Sequence, residues 1–383
     1  MKIVCISDSI NHHTAPLYDE FYRILKEEFV FIETGNKKNR DLKGGDPSDF
    51  KNLPYWKDGF SNRKRIKLAK EICLRADVVI QFSSPNSFIF KRLKKNKLTF
   101  RVSERFCTGS KKDYFRFIKY FLKYNIVPHE KLFLLSASAY APKDMWRSHA
   151  YRDKCYKWGY FPEIFKCDAK SSNCQKLKIL WVGRFIKWKH PEVCIEIANF
   201  LKNRKIDFNF MMIGDGLLLK EIKSKVVENS LDEYFTFPGN IGNKDVQLYM
   251  KEADIFVFSS DKNEGWGAVL NEAMGNGCIP IASNEAGSVP YLIRNGYNGF
   301  VYKSGDKDDL INTFNQVVEL DSKKFANLKE NASRTIMEEW SAKSAVKNLL
   351  ELIDNLENNQ EVFSVGSGPA RKALVLNEED CYK

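Results

Sequence analysis

No stretch of the 383-residue sequence approaches the roughly 20 consecutive apolar residues of a membrane-spanning helix, so no spanning helix is expected within it. The N-terminal MKIVCISDSI lacks the long apolar core of a secretory signal and reads instead as a first buried strand. Nine cysteines are present without a CxxC pair and in odd number, a usage that suits reduced thiols and argues against a disulfide frame or a zinc site. Internal repeats and low-complexity tracts are absent. So is the GxGxxG fingerprint of dinucleotide binding.

What is there is a segregated charge. The net charge is +12, yet residues 1–165 hold 33 Lys and Arg against 18 Asp and Glu, giving +15, and the remainder gives −3. Such asymmetry points to a polyanionic partner of the first half, either nucleic acid or an anionic membrane surface. Short β-branched runs alternate with helical patterns in both halves: KIVCIS, FVFIET, ADVVIQF, KLTFRVS and KLFLLSAS in the first, KILWVGR, FNFMMIG, YFTFPG, DIFVFSS and CIPIAS in the second. Buried strands alternating with helices predict α/β architecture with parallel sheets covered on both faces, here twice over. The expected organisation is a first doubly wound domain over residues 1–165, a linker over 166–177, a second domain over 178–340, a final helix over 341–360 and a tail, 361–383, without usable periodicity. Ligands of open α/β sheets bind outside the carboxyl ends of the strands, so two facing domains of this kind would enclose a cleft.

Three segments carry chemistry. ILWVGRFIKWKHPEV runs from a strand into a loop with Arg184 and Lys189, two cations suited to a diphosphate, although a solvated basic loop has the same composition. FNFMMIGDG ends in Gly214 and Gly216, where an ordinary tight turn is as good a reading as a ligand loop; the same holds for the turn at Gly239, Asn240 and Ile241, whose backbone could meet a planar base. NEGWGAVLNEAM places Glu264 and Glu272 eight residues apart across Gly265, Trp266, Gly267, Ala268 and Val269. A helix beginning near Gly265 would set Glu264 just outside its first turn and Glu272 two turns in, with glycines and free amides at the N-terminus favouring phosphate. Carboxylates accept hydrogen bonds from vicinal hydroxyls, so the layout matches a nucleotide-sugar, a diphosphate with a hydroxyl-bearing ring on each side.

VGRFIKWKHPE, followed by NEGWGAVLNEAMGNGCIPIAS and GSVPYLIRNGYNGFVY, resembles the retaining glycosyltransferases of family 4, strongly over about Lys178 to Trp340 and more weakly over the first half, where SINHHTAPLYDEF, ADVVIQFSSP and TFRVSER resemble a bacterial branch acting in capsule, O-antigen or exopolysaccharide assembly. The resemblance implies the GT-B fold, two Rossmann-like domains facing across a cleft with the last helix crossing back to the first. It implies a donor site in which Arg184 and Lys189 hold the diphosphate, Glu264 the transferred sugar and Glu272 the ribose. Gly265 to Val269 would help with phosphate, and Gly239 to Ile241 would lie by the base. The nucleotide-sugar, a UDP-sugar by family frequency, is a co-substrate; no cofactor or metal is expected. Many members carry a glycine-rich loop ahead of a histidine after the first strand; this chain has SDSINHHTAP, so His12 or His13 is the acceptor-side candidate, a surface-loop histidine being the ordinary alternative. A second histidine of the family is replaced around Ser103, leaving Glu104 and Arg105.

KKDYFRFIKYFLKYN carries an apolar stripe of Phe115, Ile118, Phe121 and Leu122 and a basic one of Lys112, Arg116, Lys119 and Lys123, preceded by Lys111. That is the composition of a helix lying in an anionic membrane interface, or of one packed on its own sheet with a solvated basic face. KRLKKNKL adds charge in the same half. The expected setting is the cytoplasmic face of a bacterial plasma membrane, with a lipid-linked or glycan acceptor. A nucleotide-sugar epimerase of the same fold and a nucleic-acid-binding protein are the alternatives; no recognition-helix or RNP pattern supports the second, and no nucleic-acid partner is expected.

Overall fold

The computed structural model describes residues 1–35, 50–107, 109–110, 113–125, 130–165, 176–358, 360 and 366–382. The chain divides into two compact units, Met1–Glu163 with Ser341–Leu376, and Ile164–Trp340 with Asn377–Lys383. In the first, β1 (Ile3–Ser7), β2 (Phe29–Glu33), β3 (Trp56–Asp58), β4 (Val78–Gln81), β5 (Thr99–Ser103), β6 (Leu132–Ser136) and β7 (Cys155–Lys157) form a parallel sheet in the order β3-β2-β1-β4-β5-β6-β7. Helices α1 (Ala15–Leu25), α2 (Arg63–Arg75), α3 (Phe90–Lys94), α4 (Asp113–Asn125) and α5 (Ala141–Arg147) lie between them. In the second unit, β8 (Leu177–Val182), β9 (Phe208–Ile213), β10 (Phe235–Gly239), β11 (Ile255–Phe258), β12 (Ile279–Ser283) and β13 (Phe300–Tyr302) run β10-β9-β8-β11-β12-β13. Its helices are α6 (Val193–Asn203), α7 (Leu219–Glu228), α8 (Asn243–Glu252), α9 (Val269–Gly275), α10 (Val289–Leu292), α11 (Lys307–Val318) and α12 (Ser322–Arg334).

Every strand read from the sequence is present. Three were not read, β3, β7 and β13; each is three residues long and too short to show a period. The central strands are buried from end to end because helices cover both faces, which is why they read as continuous apolar runs. The second unit's core centres on Trp181, Phe185, Phe208, Phe210, Met212 and Phe314.

The last helix, α13 (Ala342–Glu357), starts at Ser341, whose Oγ accepts the Ser344 N–H at 3.2 Å, and packs on α1 of the first unit. Beyond it, Lys157 N–H donates to Arg371 O at 2.7 Å and Ala373 N–H to Cys155 O at 3.0 Å. Residues 366–376 thus satisfy the free edge of β7 by backbone pairing, which leaves no side-chain pattern and explains why the tail was unreadable. Among the described residues no helix is long and apolar enough to cross a membrane.

Candidate functional site

Strand order in the second unit reverses between β8 and β11, and the two loops leaving their carboxyl ends carry Arg184, Lys189 and Glu264. After β8, Gly183 N–H donates to Ile213 O at 3.0 Å and Phe185 N–H to Asp215 O at 2.9 Å, tying this loop to the glycine turn that follows β9. Gly214 sits at φ +133, and a Cβ there would lie 1.9 Å from Gly183 O. The GDG turn therefore serves close backbone approach, the plainer of the two readings. It holds up the loop on which Arg184 is exposed, its guanidinium 5.4 Å from the Trp188 ring and, among the described residues, in no ion pair.

After β11, Ser259 donates to Lys189 O at 2.6 Å and accepts from Trp181 Nε1 at 3.0 Å, while Asp261 N–H donates to Trp188 O at 2.9 Å. These bonds fix the two loops side by side and bring Lys189 Nζ into an ion pair with Glu264, both side chains largely sheltered. His190 holds the corner with a left-handed backbone, φ 47. Its Nδ1 is 2.8 Å from Glu192 Oε1 and its Nε2 3.3 Å from Asp261 Oδ2. Hydrogen bonding to Glu192, with a further contribution from Asp261, raises the imidazole's pKa above the usual histidine value despite partial burial. Neither His190 nor Asp261 was singled out by sequence; only their nearness to Lys189 and Glu264 in the chain could have drawn notice.

The helix expected to begin near Gly265 begins at Val269. Gly267 at φ +84 interrupts helical geometry, and a Cβ there would strike the Phe258 ring at 2.4 Å. Glu272 is accordingly in the first turn of α9, not two turns in, and residues 264–268 are loop. Trp266 is core: it is 1% exposed, packs on Trp340 and Tyr291, and donates from Nε1 to Asn271 Oδ1 at 2.8 Å. Glu272 is 3% exposed and its Oε1 accepts from Asn243 Nδ2 at 2.8 Å. Gln247 Nε2 donates to Asn243 Oδ1 at 3.1 Å, and Asn276 Nδ2 donates to Gln247 Oε1 at 3.2 Å. Burial pushes the Glu272 carboxyl up to about 7 against the lowering effect of Asn243. Asn243 and Gln247, one turn apart at the start of α8, were missed; their i, i+4 spacing after the Gly239–Ile241 turn was the available signal. Gly239 itself is at φ +77 with open space around its missing Cβ.

In the first unit, His12 and His13 follow β1, and Glu104 and Arg105 follow β5. The His12 and His13 rings are 3.7 Å apart, and His13 lies 6.5 Å from the Tyr160 ring. Burial lowers His13 to about 3, so it is a neutral imidazole at physiological pH. Tyr160, which sequence reasoning passed over, donates its hydroxyl to Glu104 Oε1 at 2.7 Å. Arg105 stacks over Tyr140 at 4.7 Å and donates to Cys107 O at 3.1 Å, so it braces the loop.

On α4 the reading of a helix packed through its apolar stripe fails: Phe115 is 72% exposed, and Ile118, Phe121 and Leu122 are exposed with it. The helix packs instead through Phe117 and Tyr120 against Phe106. Arg116 is withdrawn from the expected basic stripe, donating to Phe106 O at 2.8 Å and Asp113 Oδ1 at 2.9 Å. Lys119 is exposed; Lys111, Lys112 and the side chain of Lys123 lie outside the described residues.

Two doubly wound units with these strand orders define the GT-B class of fold. Over 93% of this chain and 100% of that one, the structure superposes on HepE of Anabaena, solved in complex with UDP, with a TM-score of 0.69 at 14% identity. Residues 166–335 match the family model Glycosyl transferases group 1. Among curated relatives, the amylovoran biosynthesis glycosyltransferase AmsK of Erwinia amylovora is 30% identical over 40% of this chain and 39% of its own length. The UDP-Gal:alpha-D-GlcNAc-diphosphoundecaprenol alpha-1,3-galactosyltransferase of Escherichia coli is 27% identical over 46% and 45%. The chain thus spans less than half the length of these two relatives.

Proposed function

We propose that the protein is a retaining glycosyltransferase that moves a sugar from a nucleotide-sugar, a UDP-sugar, to a lipid-linked or glycan acceptor in bacterial surface-polysaccharide assembly. The observation that carries this reading is the pairing of Lys189 with Glu264 at the strand-order reversal, beside the exposed Arg184. Arg184 and Lys189 would neutralise the diphosphate, with Lys189 exchanging one carboxylate for another anion as donor enters. Glu264, released from part of that pair, would accept hydrogen bonds from hydroxyls of the transferred sugar, and Glu272 from the ribose. The bond from the anomeric carbon to the phosphate oxygen breaks, the bond to the acceptor oxygen forms on the same face, and the acceptor's proton passes to the leaving phosphate. Two cations supply the charge stabilisation a divalent ion would otherwise give, so transfer proceeds without metal. The names of the relatives support the nucleotide and acceptor classes. His12, His13, Glu104 and Arg105 stand on the acceptor side in this reading. The exposed stripe of α4, in a half of the chain carrying +15, supports docking on the cytoplasmic face of an anionic membrane.

The test is incubation with UDP-hexoses and a prenyl-diphosphate-linked sugar in chelator, followed by NMR of the product. A new glycosidic linkage with the donor's anomeric configuration is expected. An inverted linkage, or turnover that needs added metal, contradicts the mechanism; an epimerised donor without transfer contradicts the function.

A further inference from the structure

The basic run KRLKKNKL is not used in the proposed transfer reaction, and its positions do different things. Arg92 is fully buried and donates to Cys73 O at 3.0 Å, Ala76 O at 2.5 Å and Leu98 O at 2.5 Å, and also to Asp77 O. One guanidinium thereby clamps the end of α2 to α3 and the start of β5. Between those clamped walls lies a groove of about 670 Å³, a size that suits a small organic ligand. Its rim carries Arg63, Lys67 and Lys70 from α2 and Lys91 from α3, with Glu71 its one acid among the described residues. Among the described residues none of the four cations forms an ion pair. Its apolar lining includes Leu74, Phe88 and Phe90; Phe90 is 49% exposed, and Lys70 Nζ lies 5.6 Å above the Phe88 ring.

Four cations against one acid around one concavity, with no ion pair among the described residues, repel each other and focus potential on an anion. A bare phosphate would leave Phe90 unused, an uncharged lipid would leave the cations unused, and a zwitterionic headgroup brings an ammonium against them. We infer that the groove between α2 and α3 holds one anionic phospholipid, its phosphate among Arg63, Lys67, Lys70 and Lys91 and its chain along Leu74, Phe88 and Phe90. The inference rests on the membrane part of the proposed function but not on the transfer reaction, and it concerns a site separate from the stripe on α4.

Titrating the full chain calorimetrically with dihexanoyl-phosphatidylglycerol below its critical micelle concentration tests the groove without a bilayer. Saturable one-to-one binding is expected, at least tenfold weaker for dihexanoyl-phosphatidylcholine and for glycerol phosphate. The double variant Lys67→Glu, Lys91→Glu should lose tenfold or more in affinity with an unchanged melting curve, both side chains being exposed. Phe115→Asp on α4 should keep monomer binding while losing vesicle binding, so failure of the groove and failure of membrane docking are distinguishable. No saturable binding by the wild type, or equal affinity in the double variant, overturns the inference. Glycerol phosphate binding as tightly as the lipid overturns it in favour of a bare phosphate site.

Discussion

Replacing Glu272 by Gln should stabilise the protein at alkaline pH while weakening donor binding. The carboxyl is 3% exposed and its pKa rises from 4.5 to about 7, so the folded state holds a proton that the unfolded chain releases. Between those two values stability falls as pH rises, and above about 7 the loss levels off. At 1.36 kcal/mol per unit the full cost is about 3 kcal/mol. Glutamine keeps an oxygen to accept from Asn243 Nδ2 and carries no charge to desolvate. The variant should therefore match the wild type near pH 5 and melt higher at pH 8, by on the order of 5 °C. The assay is thermal unfolding followed by circular dichroism across that range, paired with nucleotide-sugar binding at pH 8. A melting difference that does not change with pH, or a variant less stable at pH 8, would refute the argument that desolvation governs this residue. Stabilisation with donor affinity intact would leave the electrostatics standing and remove Glu272 from the site.

Lys189→Ala should lower kcat by about 10², the scale seen when one charge-stabilising donor is removed, with a smaller loss of stability from the unpaired Glu264; wild-type turnover would sink its role. Gly214→Ala must move the Gly183 carbonyl and adopt a strained φ of +133, so urea unfolding should show a loss of about 3 kcal/mol or more, and an unchanged midpoint would contradict the packing described here. His190 titrates above its ordinary value, so its bridge to Glu192 and Asp261 stabilises below about pH 6.5 and is lost as pH rises through the raised value. After solvent screening that contribution is below about 1 kcal/mol. It should vanish in His190→Asn, seen as a flatter stability profile from pH 6 to 8.

The longer strands of both sheets were legible because helices cover each face, so burial writes itself as unbroken β-branched runs. The cationic loop after β8 and the paired glutamates were legible as types and spacing. Their geometry was not. A glycine at positive φ delays the start of α9 by four residues, which the composition NEGWGAVLNEAM does not reveal because glycine is tolerated in several backbone states. Asn243 reaches Glu272 from 29 residues away, and Glu104 meets Tyr160 across 56; such pairs exist only after strand order is known. Arg92 is the sharpest case. Within KRLKKNKL it is indistinguishable from its solvated neighbours, yet it is buried because the carbonyls at the end of α2 need a donor.

The most direct test of the account is a thermal-shift screen of the protein against UDP-, GDP-, ADP- and CMP-sugars in chelator, run in parallel with Lys189→Ala, because a ligand that binds only the folded state raises its melting temperature. The account predicts a rise with the uridine class in the wild type and its loss or marked reduction in the variant. A wild type that responds to none of the four, or a shift that survives in Lys189→Ala, would contradict the placement of the donor site on the loops after β8 and β11.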